Sequence, residues 1–556
     1  MAYEAPKSDG DAVNELIRRD EWMEQDRQPW VTRWEEISEL IDTRYVNTFR
    51  SQNLYNLTQG QDNTDRQFDI TPPLALQRFA SAMDWMLTPI NQKYQRIRPL
   101  EESLASMPKI MRYCDAVRDQ LFRYRYSPRA NFASQIGEHW MGLGGFGTSC
   151  TFIDRLDGGG TRYKNIHLGE MKFLENHQGI IDTAHRRFRL TARQAAQKWR
   201  DKCPAKLIEE AKDPKTCDKK YTFVHCVYPN SDRDPGRMDY KGMEFSSDYV
   251  CVELKEFCQR GGYNTFPYAI SRYVTAPGET YGRSPAMMAL PNIKSLNQMK
   301  RTVLKMGERA VDPVLLAHDD GVVGSVTMRS GFVNYGAVTA DGKKLVHPLD
   351  TTSQMPIGKE LMDDERSGIK DMFLVTVFQM LEENPQMTAT EVMERVKAKN
   401  ALIAPMMGRQ QCECLGPMTE RELDILQRDG LLPPMPPELK EAGGGIHIVY
   451  DSEMSRAMRA DEASGFMRTL ETAINYSQAT QDPSALDWLQ IDVAMPEIAD
   501  IQGTPARWMA SPDEVQQKRQ GRQQAQAQQQ LADAAPAIAS ILKTTGSAAP
   551  GTGVTP

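Results

Sequence analysis

Residues 282–430 constrain this chain more than any other stretch: a helix, a non-helical insert, a second helix, a short polar loop and a long proline-kinked helix follow in that order. Ser284-Pro285 opens the first helix, with Ser placed as N-cap and Pro at the first helical position. Leu290, Ile293, Leu296, Met299, Val303, Met306 and Ala310 recur at steps of three and four, which predicts one continuous apolar stripe. The helix stops at Asp312-Pro313. A second amphipathic helix is predicted over about residues 357–381, carrying Leu361, Ile369, Met372, Phe373, Thr376 and Met380. A Gly- and Val-rich insert separates the two, so the pair reads as a stalk with a small domain at its tips. Next comes Glu382-Glu383-Asn384-Pro385-Gln386-Met387. Thr388-Ala-Thr-Glu391 is a capping box, opening a helix with kinks expected at Pro405 and Pro417 and an end at Gly430.

The charges of the two stalk helices differ. Lys294, Lys300, Arg301, Lys305 and Arg309 stand against Glu308 alone in the first. Glu360, Asp363, Asp364, Glu365, Asp371, Glu382 and Glu383 outnumber Lys359, Arg366 and Lys370 in the second. A basic helix beside an acidic one suits pairing within one chain or between neighbouring copies, and the sequence leaves both open.

The rest of the chain supplies a body for this stalk. At 556 residues the chain is too long for one core, and two to four subdomains are expected. Residues 11–43 read as an amphipathic helix interrupted at Pro29, with Trp22, Trp30 and Trp34 as core or subunit-contact anchors. A polar loop over 47–70 precedes helices at about 73–88, 106–125 and 129–142. Strand-like runs follow at 148–154, 161–167, 171–176, 221–228, 249–257 and 266–274. Thr191-Ala-Arg-Gln194 is a second capping box. After a proline-rich break at 431–437, Ile446–Tyr450 reads as a short buried strand, and helices resume at about 452–477 and 484–499. The Gln-rich run after Ser511 can extend as helix, and the last stretch has the composition of a disordered tail.

The features that would mark an enzyme are missing or misplaced. Gly142-Leu-Gly144-Gly-Phe-Gly147 matches a dinucleotide fingerprint, but a helix precedes it and a strand follows, the reverse of what that site needs. No phosphate-cradling Gly-Lys-Ser/Thr loop, serine elbow or closely spaced metal-ligand pair occurs, so no cofactor is expected. The nine cysteines form no disulfide-like framework and suit a reducing compartment. No apolar run is long enough to span a membrane. A net charge of −7 argues against a chain that clings to nucleic acid, because non-specific affinity comes from Lys and Arg neutralising phosphates.

Tyr281-Gly-Arg-Ser-Pro285 followed by Ala289-Leu-Pro-Asn-Ile-Lys-Ser-Leu-Asn297, then Met387-Thr-Ala-Thr-Glu-Val392 with Glu394-Arg395, Pro405, Gly408-Arg409 and Pro417, resembles the portal, or head-to-tail connector, family of short-tailed double-stranded-DNA phages. The resemblance covers roughly residues 11–450. Asn292 stands where Asp is more usual, and Gln410 where an apolar residue is more usual. The resemblance implies an α+β, predominantly helical portal fold assembled as a ring, typically of twelve subunits, at one capsid vertex. It would divide into a wing (1–280), stem helix 1 (281–311), clip (312–352), stem helix 2 (353–381), tunnel loop (382–387), long kinked wing helix (388–430), crown (431–510) and a Gln-rich tail (511–556).

The implied roles are those of a non-enzymatic conduit. Glu382, Glu383, Asn384, Pro385, Gln386 and Met387 would meet DNA in the channel. Lys294, Arg301, Lys305, Asp363, Asp364 and Lys370 would belong to the stem. His318, Asp319, Asp320, Arg329, Lys343 and Lys344 would belong to the docking clip. Implied partners are further copies of the chain, double-stranded DNA in transit, the large terminase subunit, tail adaptor and nozzle proteins, major capsid and scaffolding proteins, and internal core proteins. The implied location is the virion head–tail junction, after assembly in the host cytoplasm. The readings from other classes are a nucleic-acid-processing enzyme with a docking stalk, and another virion ring component such as a tail adaptor.

Overall fold

The computed structural model describes residues 9–49, 60, 63–90, 92–105, 107–311, 315–317, 327, 332–333, 335, 337–339, 341–348, 355–379, 401–450, 453–480, 488–501, 510 and 514–525. The chain divides into two compact units, residues 1–94 with 120–432, and residues 95–119 with 433–556.

In the first unit the break expected at Pro29 separates helices Asp9–Asp26 and Gln28–Leu40. Trp34 is fully buried and its indole donates to the Phe146 carbonyl at 3.1 Å, whereas Trp22 is exposed. Helices Thr71–Leu87 and Phe132–Phe146 pack closely. Gly144 allows this, since a Cβ there would strike Phe79 and Leu76. As the sequence requires, the 142–147 glycines end a helix and lead into a strand. That strand, Thr148–Arg155, is central in a three-stranded antiparallel sheet with Thr161–Ile166 and Tyr268–Arg272.

A five-stranded antiparallel meander follows: Met171–Glu175, Ile181–Thr191, Lys220–Pro229, Phe245–Cys251 and Glu256–Tyr263. Successive residues of a strand point to opposite faces, and here both faces are covered. Tyr221 and Phe223 join Trp199 and Leu207, from helices Ala192–Trp199 and Ala205–Lys212. Val224 and Cys226 meet Val13 and Leu16 of the first helix. The Thr191–Gln194 capping box forms as expected.

The meander corrects the sequence reading twice. The single strand expected over 249–257 is two strands joined by a turn at which Lys255 takes a positive φ of 55°. Strand Ile181–Thr191 was not anticipated because Arg186, Arg187 and Arg189 give it a solvated look. Two of these charges are matched from elsewhere: Arg186 pairs with Glu170 at 2.9 Å and Arg187 with Asp20 at 2.9 Å. Asp20 is itself fully buried, pairs with Lys172 at 2.8 Å, and so ties the first helix to the sheet.

The two-sided burial also seals histidines among neutral hydroxyls. His139 lies between Thr151 Oγ1 at 2.9 Å and Ser271 Oγ at 2.6 Å, and His225 between Tyr268 Oη at 2.7 Å and Ser247 Oγ at 2.9 Å. Burial pushes His139 down to about 3 and holds His225 well below its ordinary value. The unfolded chain takes up these protons near pH 6.5 and the folded chain does not. Stability is therefore full above about 6.5 and falls as the pH drops, by about 1.4 kcal/mol per unit for each histidine. Urea midpoints at pH 7 and pH 5.5 should differ accordingly, and equal midpoints would contradict these burials.

In the second unit, strands Gln95–Pro99 and Ile446–Tyr450 form a two-stranded antiparallel sheet. Ile446–Tyr450 is mostly half-buried, not the buried strand expected, because a two-stranded sheet has no central position. Helices Glu453–Thr480 and Ile491–Ile501 pack together, and residues 514–525 of the Gln-rich run are helical. No helix among the described residues is long and apolar enough to cross a membrane. None of the nine cysteines is disulfide-bonded.

Candidate functional site

The site is the root of the helical hairpin and the hairpin itself. Tyr281 is buried in an aromatic nest, with ring centroids 5.9 Å from Trp30, 5.3 Å from Trp34 and 5.8 Å from Phe173. Burial pushes its hydroxyl up to about 12. The Gly282 amide donates to Thr148 Oγ1 at 2.8 Å. The Arg283 amide donates to the Val274 carbonyl at 2.6 Å, and the Tyr273 amide to the Gly147 carbonyl at 2.9 Å. The turns at Gly147 and Gly282 cross so closely that a Cβ on either would strike backbone atoms of the other. Ser284 is fully buried and caps the helix as its sequence position predicts, its hydroxyl accepting from the Met287 amide at 2.9 Å.

The first long helix is Pro285–Val311, close to the expected 281–311, with Ala286, Ala289, Ile293 and Leu296 buried. Beyond them the predicted stripe opens out, and Met299, Val303 and Met306 are only half-buried. The second is Met355–Met372, shorter than expected. It breaks at Leu374, which takes a left-handed φ of 58°, before a short helix Val375–Gln379. The stripe on this helix also differs. Met362, Ile369 and Phe373 are buried, while Leu361 and Met372 are 50% and 44% exposed. The helices run antiparallel, since Gly358 packs on Val303 and Gly368 on Asn292.

A brace that the sequence did not reveal ties both helices to one short segment. Asn297 Oδ1 accepts from the Phe68 and Asp69 amides at 3.0 and 3.2 Å. Asp69 in turn pairs with Arg366 at 2.6 Å and accepts from the Thr71 amide at 2.9 Å. Burial alone would raise the Asp69 carboxyl, but Arg366 and Thr71 outweigh it and hold it below its ordinary value. A polar Asn297 interrupting an apolar stripe was the available signal; its partner, 228 or 229 residues away, was not legible.

The expected site residues fall as follows. Lys294 pairs with Glu36 at 2.9 Å, and Arg301 lies 5.8 Å from the Phe68 ring centroid. Asp363 pairs with Arg366 at 2.8 Å, while Lys305, Asp364 and Lys370 are exposed. At the base of the insert, Leu315–Ala317 pairs antiparallel with Val346–Pro348, and Lys343 and Lys344 are exposed beside a Val338–Lys344 bridge. His318, Asp319, Asp320 and Arg329 lie outside the described residues, as do Glu382, Glu383, Asn384, Pro385, Gln386 and Met387.

The long helix is seen from residue 401 and carries a one-residue π turn, Gln411–Leu415, ahead of Pro417. The irregularity falls there because Pro417 has no amide to donate. Gln410, unusual for the resembling family, is buried and donates to the Arg272 carbonyl at 2.8 Å. Arg272 forks onto Glu413 at 3.0 and 3.1 Å and also meets Glu175. Among the described residues no three His, Cys, Asp or Glu side chains are grouped to hold a metal ion.

This arrangement, a hairpin rooted and braced on a mixed helix-and-sheet body, is a structural scaffold. The sequence profile described as "Bacteriophage head to tail connecting protein" matches residues 13–509, and the chain belongs to that family. It is 25% identical over 454 residues to the "Probable portal protein" of Bordetella phage BPP-1, covering 80% of each chain. It is 23% identical over 525 residues to the "Portal protein" of Salmonella phage epsilon15, covering 93% of this chain and 92% of that one. Among solved structures, a chain of the "Virion of native gene transfer agent (GTA) particle" is similar over 72% of this chain and 84% of that one, at 11% identity and a TM-score of 0.35. That likeness is too slight to define a shared fold.

Proposed function

We propose that this chain is the portal subunit of a phage head: a ring, typically of twelve copies, at one capsid vertex, through which double-stranded DNA enters during packaging and leaves at ejection. The observation that carries this reading is the hairpin's polarity. Met362, Arg366, Ile369 and Phe373 face the body, where three are buried and the fourth pairs with Asp69. At 100° per residue, Glu360, Asp364 and Asp371 fall on the opposite side of the same helix, and all three are exposed. Turned towards a central passage, that row repels phosphate, and a passage that repels phosphate lets DNA slide where a cationic wall would hold it.

In this reading residues 285–311 and 355–372 are the stem and the insert around 312–352 is the clip, where the terminase large subunit docks first and the tail adaptor and nozzle proteins later. Residues 1–280 and the long helix up to Gly430 make the wing, and residues 431–510 the crown inside the capsid. Capsid, scaffolding and internal core proteins are the remaining neighbours. The residue set Glu382–Met387 is the tunnel loop. Electron microscopy of the purified protein should show rings in axial view, and a uniformly monomeric preparation would refute the reading. Deleting Asn384–Met387 should leave rings intact and lower the yield of packaged genome in complementation. An undiminished yield would remove the tunnel-loop assignment alone.

A further inference from the structure

The two edges of the hairpin carry opposite charge, and neither edge is satisfied within the chain. Gly358 on Val303 and Gly368 on Asn292 define the side on which the helices touch. At 100° per residue, Lys294, Arg301 and Lys305, spaced by seven and four, form one row on the first helix pointing away from the second. On the second helix, Glu360, Asp363 and Asp364 cover the sector that leads from the edge facing away from the first helix round to the open face. All six are exposed. Among the described residues no ion pair joins one long helix to the other. Lys294 reaches Glu36, and Asp363 reaches Arg366 of its own helix. Arg301, Lys305, Glu360 and Asp364 meet no opposite charge among the described residues.

A flat element that is positive along one edge and negative along the other cannot satisfy both edges by meeting itself face to face. It satisfies them by standing beside a copy of itself, edge to opposite edge. Such a contact is heterologous, and repeated around an axis it closes into a ring. The helix contacts also fix the heights. Counting from Gly358 opposite Val303, Arg301 stands level with Glu360, and Asp364 lies about one turn away. Copies related by rotation about an axis along the hairpin keep these heights. We infer that Arg301 and Lys305 of one copy pair with Glu360 and Asp364 of the next, forming the lateral seam of the stem. This rests on the ring reading above and assigns which edges meet, which that reading does not.

A single exposed ion pair is weak, so two residues per edge are reversed together, and ring formation is read by gel filtration and electron microscopy at low ionic strength, where exposed charges are least screened. R301E/K305E makes both edges acidic, and E360K/D364K makes both basic. Each alone is expected to lose the ring peak. Mixed one to one, they are expected to recover it as alternating rings, because every acidic edge then meets a basic one. Rings of ordinary stability from either variant alone overturn the seam, and so does loss without recovery on mixing. Absence of rings from the unaltered protein would instead overturn the ring reading itself, so the two failures are distinguishable.

Discussion

Arg125→Met is expected to destabilise the first unit by about 3–5 kcal/mol, the cost of leaving one partner of a buried ion pair alone. Arg125 is 0% exposed and Glu422 1%. The guanidinium meets the carboxylate through Nη2 at 2.5 Å and Nε at 3.1 and 3.2 Å, and Tyr163 donates its hydroxyl to the same carboxylate at 2.5 Å. Arg125 Nη1 donates to Tyr94 Oη at 2.8 Å, and the rings of Tyr94, Phe122 and Phe132 close around it at 5.2–5.6 Å. Burial alone would lower the Arg125 pKa, but Glu422 beside it raises it well above the ordinary value, so the pair is ionised. Methionine fills part of the space and leaves Glu422 charged with one phenol. Adding Glu422→Gln to Arg125→Met removes that stranded charge and should recover part of the loss. Denaturant unfolding of the three proteins tests both statements. A single variant within 1 kcal/mol of the parent, or a double variant weaker than the single, would show that the pair is not what holds the helix Gly416–Arg428 in place.

Gly282→Ala is expected to cost a similar amount by a different route. A Cβ at this position overlaps the Gly147 carbonyl oxygen and approaches Tyr273 N at 3.0 Å and Arg272 Cβ at 3.1 Å. The nearest obstacles are backbone atoms, which cannot swing aside as a side chain would. Overpacking in a core costs about 1–3 kcal/mol, and here it also threatens the Gly282–Thr148 hydrogen bond and the seating of Tyr281 against Trp30 and Trp34. Gly147→Ala adds a backbone penalty, because Gly147 holds φ at +78°, where a Cβ costs roughly 1–2 kcal/mol. Both variants should melt earlier and lose near-ultraviolet signal from the Trp30–Trp34–Tyr281 cluster. A native spectrum and an unchanged melting temperature for Gly282→Ala would mean that the crossing of the two turns is looser than described.

The sequence made the local rules legible and hid the distant ones. Ser284 as a cap, the Thr191–Gln194 box, the break at Pro29 and the order of helices could be read because each depends on residues within a turn or two. The irregularity expected in the long helix near Pro417 was right in place and incomplete in kind, since nothing in a single proline distinguishes a kink from a π turn. The second stem helix was drawn too long because Leu374 looks like an ordinary helix former, and its left-handed conformation comes from the packing of Phe373 and Val375 on either side. Strand Ile181–Thr191 was hidden by arginines whose partners lie elsewhere in the chain. For the site, the Tyr281–Pro285 motif was visible, but the Asn297–Asp69–Arg366 brace was not, because no periodicity records a contact across more than two hundred residues.

That brace has a mechanical consequence. A hairpin held only at its root bends like a cantilever, and its tip deflects freely under a sideways load. Here residues 68 and 69 act as a prop some way up the beam, gripping one helix through Asn297 and the other through Arg366. A propped beam pivots about its support, so a push at the insert is felt at the root with its sign reversed. The short segment ahead of Thr71 is therefore the fulcrum through which an event at one end of the hairpin can be registered in the body at the other.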